Sequence, residues 1–176
     1  YSLRAAIYEL QWPAVLAAFK AVSDAEADVK IICHAKADDT GEENEKQIDA
    51  AGIRSLCVPR KNAKLMHNKF IVLSKAGKPV AVWTGSTNLS RNALHGQLNV
   101  GHVIHGRSVA RSFLGYWTAL QSDPTPNDLK EWAEAENALP PNDDSDALTP
   151  VFSPHRGRRG CTPPGAGPAR RGASRR

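Results

Sequence analysis

Two short groups of polar residues have the types and spacing needed for chemistry on a phosphate ester. His67 and Lys69 stand two positions apart at the start of a β-rich run, and Ser86 and Asn88 repeat this spacing after the next one. Residues two apart on a strand share a face. Imidazole can bond covalently to phosphorus, while an ammonium, a hydroxyl and an amide can hold its oxygens. The pattern predicts a phosphate site, where Gly85 would allow close backbone approach.

The two polar groups meet only if the β-rich runs that carry them pair with each other. Phe70–Leu73 and Val80–Thr84 are separated by Lys75–Pro79, a segment typical of a hairpin turn. A hairpin would bring the start of the first strand beside the end of the second. We therefore expect the four polar side chains to converge at one end of a sheet.

Strands alternate with helices in the rest of the chain before residue 123. We expect strands over residues 3–10, 29–33, 53–58 and 99–105, and helices beginning at Pro13, Asn44 and Ser108. Asn44 followed by Gln47 resembles a capping box. This order predicts an α/β fold, with a mixed β-sheet and helices on both faces. Beyond it we expect a polar helix over 129–138 and a short strand over 148–152.

The polar groups resemble a known signature. His67-x-Lys69, four further residues, position 74 and then Gly85-Ser86-x-Asn88 are similar to the H-x-K-x4-D and G-S-x-N motifs of the phospholipase D superfamily. The resemblance covers residues 1–122 and implies a phospholipase D-like half-domain. It further implies a phosphodiesterase that needs neither metal nor cofactor and works through a phosphohistidine intermediate. His67 would be the nucleophile, while Lys69, Ser86 and Asn88 would hold the phosphate.

Three features depart from the family pattern. Position 74 is Ser74, where the family usually has an aspartate of supporting role. Gln97 and Leu98 stand where many members have a glutamate that orients the histidine. Gln97 could accept the imidazole N–H, and we include it among the substrate-binding candidates; an ordinary loop role is the competing interpretation. Finally, the chain holds one copy of a signature that the family uses twice.

The single copy has two explanations. Residues 148–154, LTPVFSP, resemble the opening of a second half-domain, and the Arg/Gly/Pro-rich residues after them resemble out-of-frame sequence. On this view the chain is half of a two-signature enzyme. Alternatively, a homodimer supplies the second half-site. We divide the chain into a phospholipase D-like domain (1–122), a polar helix and linker (123–153) and a disordered tail (154–176).

Charge and composition add little to the substrate question. The net charge is +5 and the pI about 9.3. Residues 155–176 carry seven arginines and no acid, which leaves 16 basic against 18 acidic residues in 1–154. No apolar run is long enough for a membrane helix. The chain begins at Tyr1 and its only methionine is Met66. We therefore expect a soluble protein lacking its natural start, with the cytoplasm favoured.

The remaining reactive residues have ordinary interpretations. The three cysteines, Cys33, Cys57 and Cys161, are scattered and predict neither a disulfide framework nor a zinc site. His34 and Lys36 repeat the H-x-K spacing without a matching G-S-x-N, which we interpret as coincidence. The sequence supports a phosphodiesterase acting on nucleic acid or phospholipid, with nuclease-like chemistry favoured because no lipid-binding amphipathic segment is evident. A phosphate-binding module or an inert half-enzyme without turnover is the alternative.

Overall fold

A six-stranded mixed sheet forms the centre of the molecule. The computed structural model describes residues 1–137 and 148–154. The strand order is β3-β2-β1-β4-β5-β6, in which β1, β2 and β3 run parallel and the other neighbours pair antiparallel. The strands are β1 (Ser2–Ile7), β2 (Asp28–His34), β3 (Cys57–Arg60), β4 (Lys69–Lys75), β5 (Lys78–Gly85) and β6 (Gly101–Ile104).

Helices cover both faces of this sheet, which confirms the predicted α/β class. They are α1 (Pro13–Asp24), α2 (Asp39–Ala50), α3 (Arg91–His95), α4 (Arg107–Gln121) and α5 (Pro126–Glu136). Apolar side chains of α1 and α2 pack with Ile31 and Cys33 of β2 on one face. The other face packs against α4, whose Trp117 indole donates to the carbonyl oxygen of Ala5 at 2.8 Å. No helix in the described ranges is long and apolar enough to span a bilayer.

The predicted hairpin between β4 and β5 is confirmed. Phe70 pairs with Thr84, and the turn is made by Ala76 and Gly77, both with positive φ. Ser74 lies within the strand and does not begin the turn: it is 3% exposed and stands opposite Pro79, next to a register shift. The hairpin therefore brings the start of β4 beside the end of β5, as the site requires.

The expected start of the second helix at Asn44 is wrong. Helix α2 begins at Asp39, because the Asp38 carboxylate caps it by accepting from the Gly41 N–H at 3.0 Å. A carboxylate that meets free N–H groups at a helix N-terminus is a strong cap. Asn44 is instead buried within the helix. Likewise, the expected strand over 53–58 begins as a 3₁₀ turn, and its extended part, β3, starts at Cys57.

The expected strand over 148–152 is also wrong. Two of its backbone polar groups are bonded by the side chain of Asn137, which donates to the Pro150 carbonyl at 2.9 Å and accepts from the Phe152 N–H at 2.7 Å. Phe152 then packs into the core cluster of α4 and α5. Residues 148–154 thus lie against the same core as β4 and α4. The expected linker over 139–146, Cys161 and the Arg-rich tail fall outside the described residues.

Candidate active site

The two predicted polar groups lie on either side of the residues that follow β1, at one end of the sheet. On one side, the Tyr8 N–H donates to the carbonyl oxygen of Asn68 at 2.9 Å. On the other side, the Leu89 N–H donates to the carbonyl oxygen of Glu9 at 3.0 Å, next to a β-bridge between Leu10 and Leu89. The His67–Lys69 and Ser86–Asn88 segments therefore flank residues 8–10.

His67 and Lys69 both lie against the ring of Tyr8. The imidazole and phenol centroids are 5.1 Å apart, and the Lys69 ammonium lies 5.2 Å from the centre of the same ring. The ammonium also donates to the carbonyl oxygen of His67 at 3.0 Å. Lys69 is 5% exposed, whereas the side chain of His67 is open to solvent. Sequence reasoning missed Tyr8, because it was read only as part of an apolar strand.

The environment favours a neutral imidazole beside a readily deprotonated lysine. Partial burial lowers the pKa of His67 below its ordinary value, and the positive charge of Lys69 lowers it further. Burial lowers the pKa of Lys69 to about 8. The negative charge of Glu9 opposes both changes. At neutral pH the imidazole of His67 is therefore mostly neutral, while Lys69 remains mostly charged.

Gly85 is the last residue of β5 and pairs with Gly101 of β6, and Ser86 follows it. The Ser86 hydroxyl accepts from the Val100 N–H at 3.0 Å and donates to the Asn99 side-chain oxygen at 3.1 Å. A Cβ at Gly85 would overlap the carbonyl oxygen of Val100. The glycine is thus required for the close approach of β6. Ser86 is exposed, and a phosphate ligand would have to compete with the Asn99 side-chain oxygen for the hydrogen of the Ser86 hydroxyl.

Asn88 carries an unsatisfied polar atom. Its side-chain oxygen is buried and has no hydrogen-bond partner among the described residues. Leaving such a group unpaired costs about 1–3 kcal/mol, so its presence in a native fold requires an explanation. A ligand or an ordered water that donates to Asn88 would provide one. The non-bridging oxygens of a phosphate can only accept, so a phosphate contact of Asn88 would use its side-chain NH₂ group, and the unpaired oxygen would need a separate donor.

Gln97 and Ser74 make their described contacts in the loop before β6 and at the far end of β4. Gln97 is exposed in the loop before β6, where its side-chain oxygen accepts from Asn99 at 3.0 Å. Ser74 is five residues along β4 from Lys69, a separation of about 16 Å at the usual rise of a strand. Position 74, where the family usually has an aspartate, therefore lies at the far end of β4, next to the hairpin turn.

A second layer of side chains holds Tyr8. His34 is fully buried, its ring lies 5.2 Å from that of Tyr8, and its Nε2–H donates to the Asp38 carboxylate at 2.9 Å. Asn44 donates to the carbonyl oxygens of Tyr8 at 2.7 Å and His34 at 2.9 Å, and accepts from the Leu10 N–H at 2.9 Å. His34 therefore supports Tyr8 from behind. The H-x-K spacing of His34 and Lys36, interpreted above as coincidence, is a separate matter from this contact.

The other histidines do not gather into a site. His95 packs against the ring of Trp12 at 4.7 Å, and His102 and His105 are exposed. Within residues 1–137 and 148–154, no group of three or more His, Cys, Asp or Glu side chains could hold a metal ion.

A cavity of about 730 Å³ opens beside His67. Apolar side chains of the preceding loop and of α4 and α5 line much of it, among them Met66, Leu120 and Leu129. Lys64 and Asn68 add polar groups to the wall. The cavity provides space for a ligand next to the imidazole.

Comparison with known proteins identifies the class. The chain belongs to the family of phospholipase D-like domains: the family model described as cardiolipin synthase, PLD-like domain, matches residues 1–119. This is a superfamily of the phosphodiesterase type. No match was found among curated protein sequences.

Solved structures agree with this assignment. Nuc from Salmonella typhimurium, a phospholipase D family member, is 26% identical with a TM-score of 0.56, over 66% of this chain and 75% of Nuc. NucT from Helicobacter pylori is 21% identical with a TM-score of 0.54, over 69% of this chain and 79% of NucT. Polyphosphate kinase from Porphyromonas gingivalis shares the fold at 15% identity with a TM-score of 0.52, over 71% of this chain but 22% of the kinase.

Proposed function

We propose that the chain provides a half-site for phosphodiester cleavage, in which His67 is the nucleophile. The observation that carries this proposal is the contact of both His67 and Lys69 with one ring, that of Tyr8, at 5.1 and 5.2 Å. An imidazole with a lowered pKa and a buried ammonium are thereby held side by side. This is the pairing needed to attack phosphorus and to neutralise its oxygens.

The reaction would proceed by double displacement. A ring nitrogen of neutral His67 attacks phosphorus, the bond to the leaving oxygen breaks, and a phosphohistidine remains. Lys69 and Asn88, with Ser86 if Asn99 releases it, hold the non-bridging oxygens. Water then attacks the same phosphorus, the phosphorus–nitrogen bond breaks, and His67 is regenerated. The first step needs a general acid to protonate the leaving oxygen.

A second half-site would supply that acid. It would come from a homodimer partner or from a second copy of the motif in a longer protein. A second His67 facing the first could protonate the leaving oxygen in the first step and activate water in the second.

The substrate is a nucleic acid or a phospholipid, and we favour nuclease-like chemistry. Residues 50–122, which contain the whole motif, carry ten lysines and arginines and no aspartate or glutamate. A segment with this charge attracts a polyanion such as nucleic acid more strongly than a zwitterionic lipid.

The first test is hydrolysis of bis(p-nitrophenyl) phosphate in EDTA, with the mass of the protein measured by light scattering. We expect turnover that His67→Asn reduces by at least about 100-fold, since it removes the nucleophile. His105→Asn, at an exposed position away from Tyr8, is the matched control and should retain full activity. Unchanged hydrolysis by His67→Asn would refute the proposed role. Single-stranded DNA and phosphatidylcholine vesicles then separate the substrate classes.

A phosphate-binding module without turnover is the second candidate. The single copy of the motif in this chain favours it, because one half-site supplies a nucleophile without a second histidine to act as general acid. It predicts that inorganic phosphate binds, that Lys69→Met weakens this binding, and that no diester is cleaved at any protein concentration.

A further inference from the structure

The cavity of about 730 Å³ beside His67 is suited to hold part of a substrate. His67 and Asn68 form part of its wall, so a ligand in the cavity lies next to the proposed nucleophile. Ligand pockets in proteins usually have volumes of about 300–1,000 Å³, and they are mainly apolar with a few polar groups. In both size and composition the cavity has the properties of a binding pocket.

Most of the cavity wall is apolar. Met66, Leu120 and Leu129 belong to it and are each at most 6% exposed, so their positions are fixed by the core. Ala63 and Leu65 add apolar surface from the loop before β4, and Leu65 is 52% exposed. Covering such a wall with an apolar group is favourable, because it removes apolar surface from water.

The polar residues of the cavity favour a nucleobase over an acyl chain. Lys64, Asn68 and Ser153 lie in the wall among the apolar residues. A nucleobase has apolar faces and hydrogen-bonding edges, so it can use both kinds of wall. An acyl chain would cover the polar groups without giving them hydrogen-bond partners, which costs free energy.

The charge of the cavity is complementary to an anionic ligand. Among the described residues, no aspartate or glutamate lines it. Arg60 is neutralised by Asp123 at 2.7 Å, whereas Lys64 is exposed and forms no ion pair within residues 1–137 and 148–154. Because every nucleotide carries a phosphate, Lys64 attracts such a ligand.

We propose that this cavity binds the nucleobase of the nucleotide next to the cleaved phosphate, which makes the substrate a single-stranded nucleic acid. Inside a duplex the bases are stacked and paired, whereas the bases of a single strand can be splayed out into a pocket. The inference rests on the proposed function for the position of the phosphate at His67. It assigns the recognition of the base to the wall formed by Leu65, Met66 and Leu129.

The test is a ligand titration of the full chain, followed by NMR of the Met66 methyl group. Met66 is the only methionine in the sequence, and Met66→Leu assigns its signal by removing it. The probes are adenosine 5′-monophosphate and ribose 5-phosphate, which differ in the base alone. We expect the nucleotide to shift the Met66 signal and to bind at least about 10-fold more tightly, since burying about 60 Å² of apolar surface gives this factor.

Leu65→Asp tests the location of the base. It places a negative charge in the apolar wall at a position that is exposed enough to tolerate it. We expect it to weaken nucleotide binding by at least about 10-fold, and the binding of ribose 5-phosphate less. Leu148→Asp is the matched control, because Leu148 is 64% exposed and lies outside the cavity lining. It should change neither affinity by more than about 2-fold.

Two outcomes would overturn the base pocket directly. One is equal affinity for the two probes, or a Met66 signal that stays in place when the nucleotide binds. The other is dihexanoyl phosphatidylcholine that shifts the Met66 signal and binds more tightly than the nucleotide, which would assign the cavity to an acyl chain.

Adenosine, which has no phosphate, separates this inference from the proposed function. If adenosine shifts the Met66 signal of a chain that neither binds phosphate nor cleaves a diester, the base pocket is supported and the proposed function fails. If neither adenosine nor the nucleotide shifts that signal, the base pocket is rejected even where His67 is essential for hydrolysis.

Discussion

Tyr8 and Lys69 show how single residues set the chemistry of this site. Lys69 is 5% exposed, and its ammonium lies over the Tyr8 ring at 5.2 Å and donates to one backbone carbonyl. This is poor solvation for a full charge, which is why burial lowers its pKa to about 8. A charge kept in such a position destabilises the fold, and a phosphate ligand would relieve the cost.

Replacing Lys69 should therefore stabilise the protein. Between about pH 8 and its ordinary pKa near 10.4, the unfolded chain binds a proton that the folded chain has lost, so the free energy of unfolding rises with pH over this range. Lys69→Met should raise that free energy at pH 7 by about 1–3 kcal/mol. It should also remove the part of the rise between about pH 8 and pH 10 that comes from Lys69. Urea unfolding from pH 7 to pH 10 measures both effects.

Lys75→Met is the control for this change, because Lys75 is exposed at the other end of the same strand. It should alter the free energy of unfolding by no more than about 0.5 kcal/mol. A Lys69→Met protein less stable than wild type at pH 7 would show that the buried ammonium is not a cost to the fold.

At the scale of secondary-structure elements, the site depends on the way α2 is joined to the ends of β1 and β2. Asn44 makes three buried hydrogen bonds that connect the helix to Tyr8, Leu10 and His34. Parallel strands end at different heights, and their last backbone groups need partners that the sheet does not supply. One asparagine in the helix provides three of them.

Asn44→Ala should be among the most damaging single changes. It leaves two carbonyl oxygens and one N–H without partners, and we expect a loss of about 2–4 kcal/mol in the free energy of unfolding. The measurement is urea denaturation, with Lys46→Ala on the exposed side of the same helix as the control. A loss below about 1 kcal/mol would mean that water replaces these bonds. Because Tyr8 would shift, the NMR signal of His67 should also change.

At the scale of the whole molecule, residues 148–154 complete the core that lies behind the loop before β4. Phe152 stacks on Tyr116 at 4.4 Å and meets the edge of Phe113 at 4.9 Å. The Tyr116 hydroxyl donates to the Ser153 carbonyl at 2.9 Å and accepts from Asn68, beside His67, at 3.3 Å. A segment far along the chain therefore supports the position of the proposed nucleophile.

Phe152→Ala should weaken both the fold and this support. Removing a buried aromatic ring costs about 3–5 kcal/mol, so we expect a lower midpoint in thermal unfolding. Val151→Ala, in an exposed neighbouring position, is the control and should change stability little. Equal effects of the two changes would indicate that residues 148–154 do not belong to the core in solution.

The sequence by itself determined the fold class and the hairpin, and it predicted the location of the candidate site. These follow from local patterns: alternating apolar residues, a Gly-Lys-Pro turn, and polar residues two apart at strand ends. The same patterns failed at Asn44, because the Asp38 side chain caps the helix five residues earlier. They also failed at residues 148–152, because the Asn137 side chain bonds the backbone there in place of a neighbouring strand. Neither contact can be seen from the spacing of residue types.

Only the tertiary structure decided which other residues belong to the site. Tyr8 and His34 precede the motif by more than 30 residues, and nothing in their immediate neighbours marks them. They reach it because β1 lies between β2 and β4, so that its carboxyl end meets both motif segments.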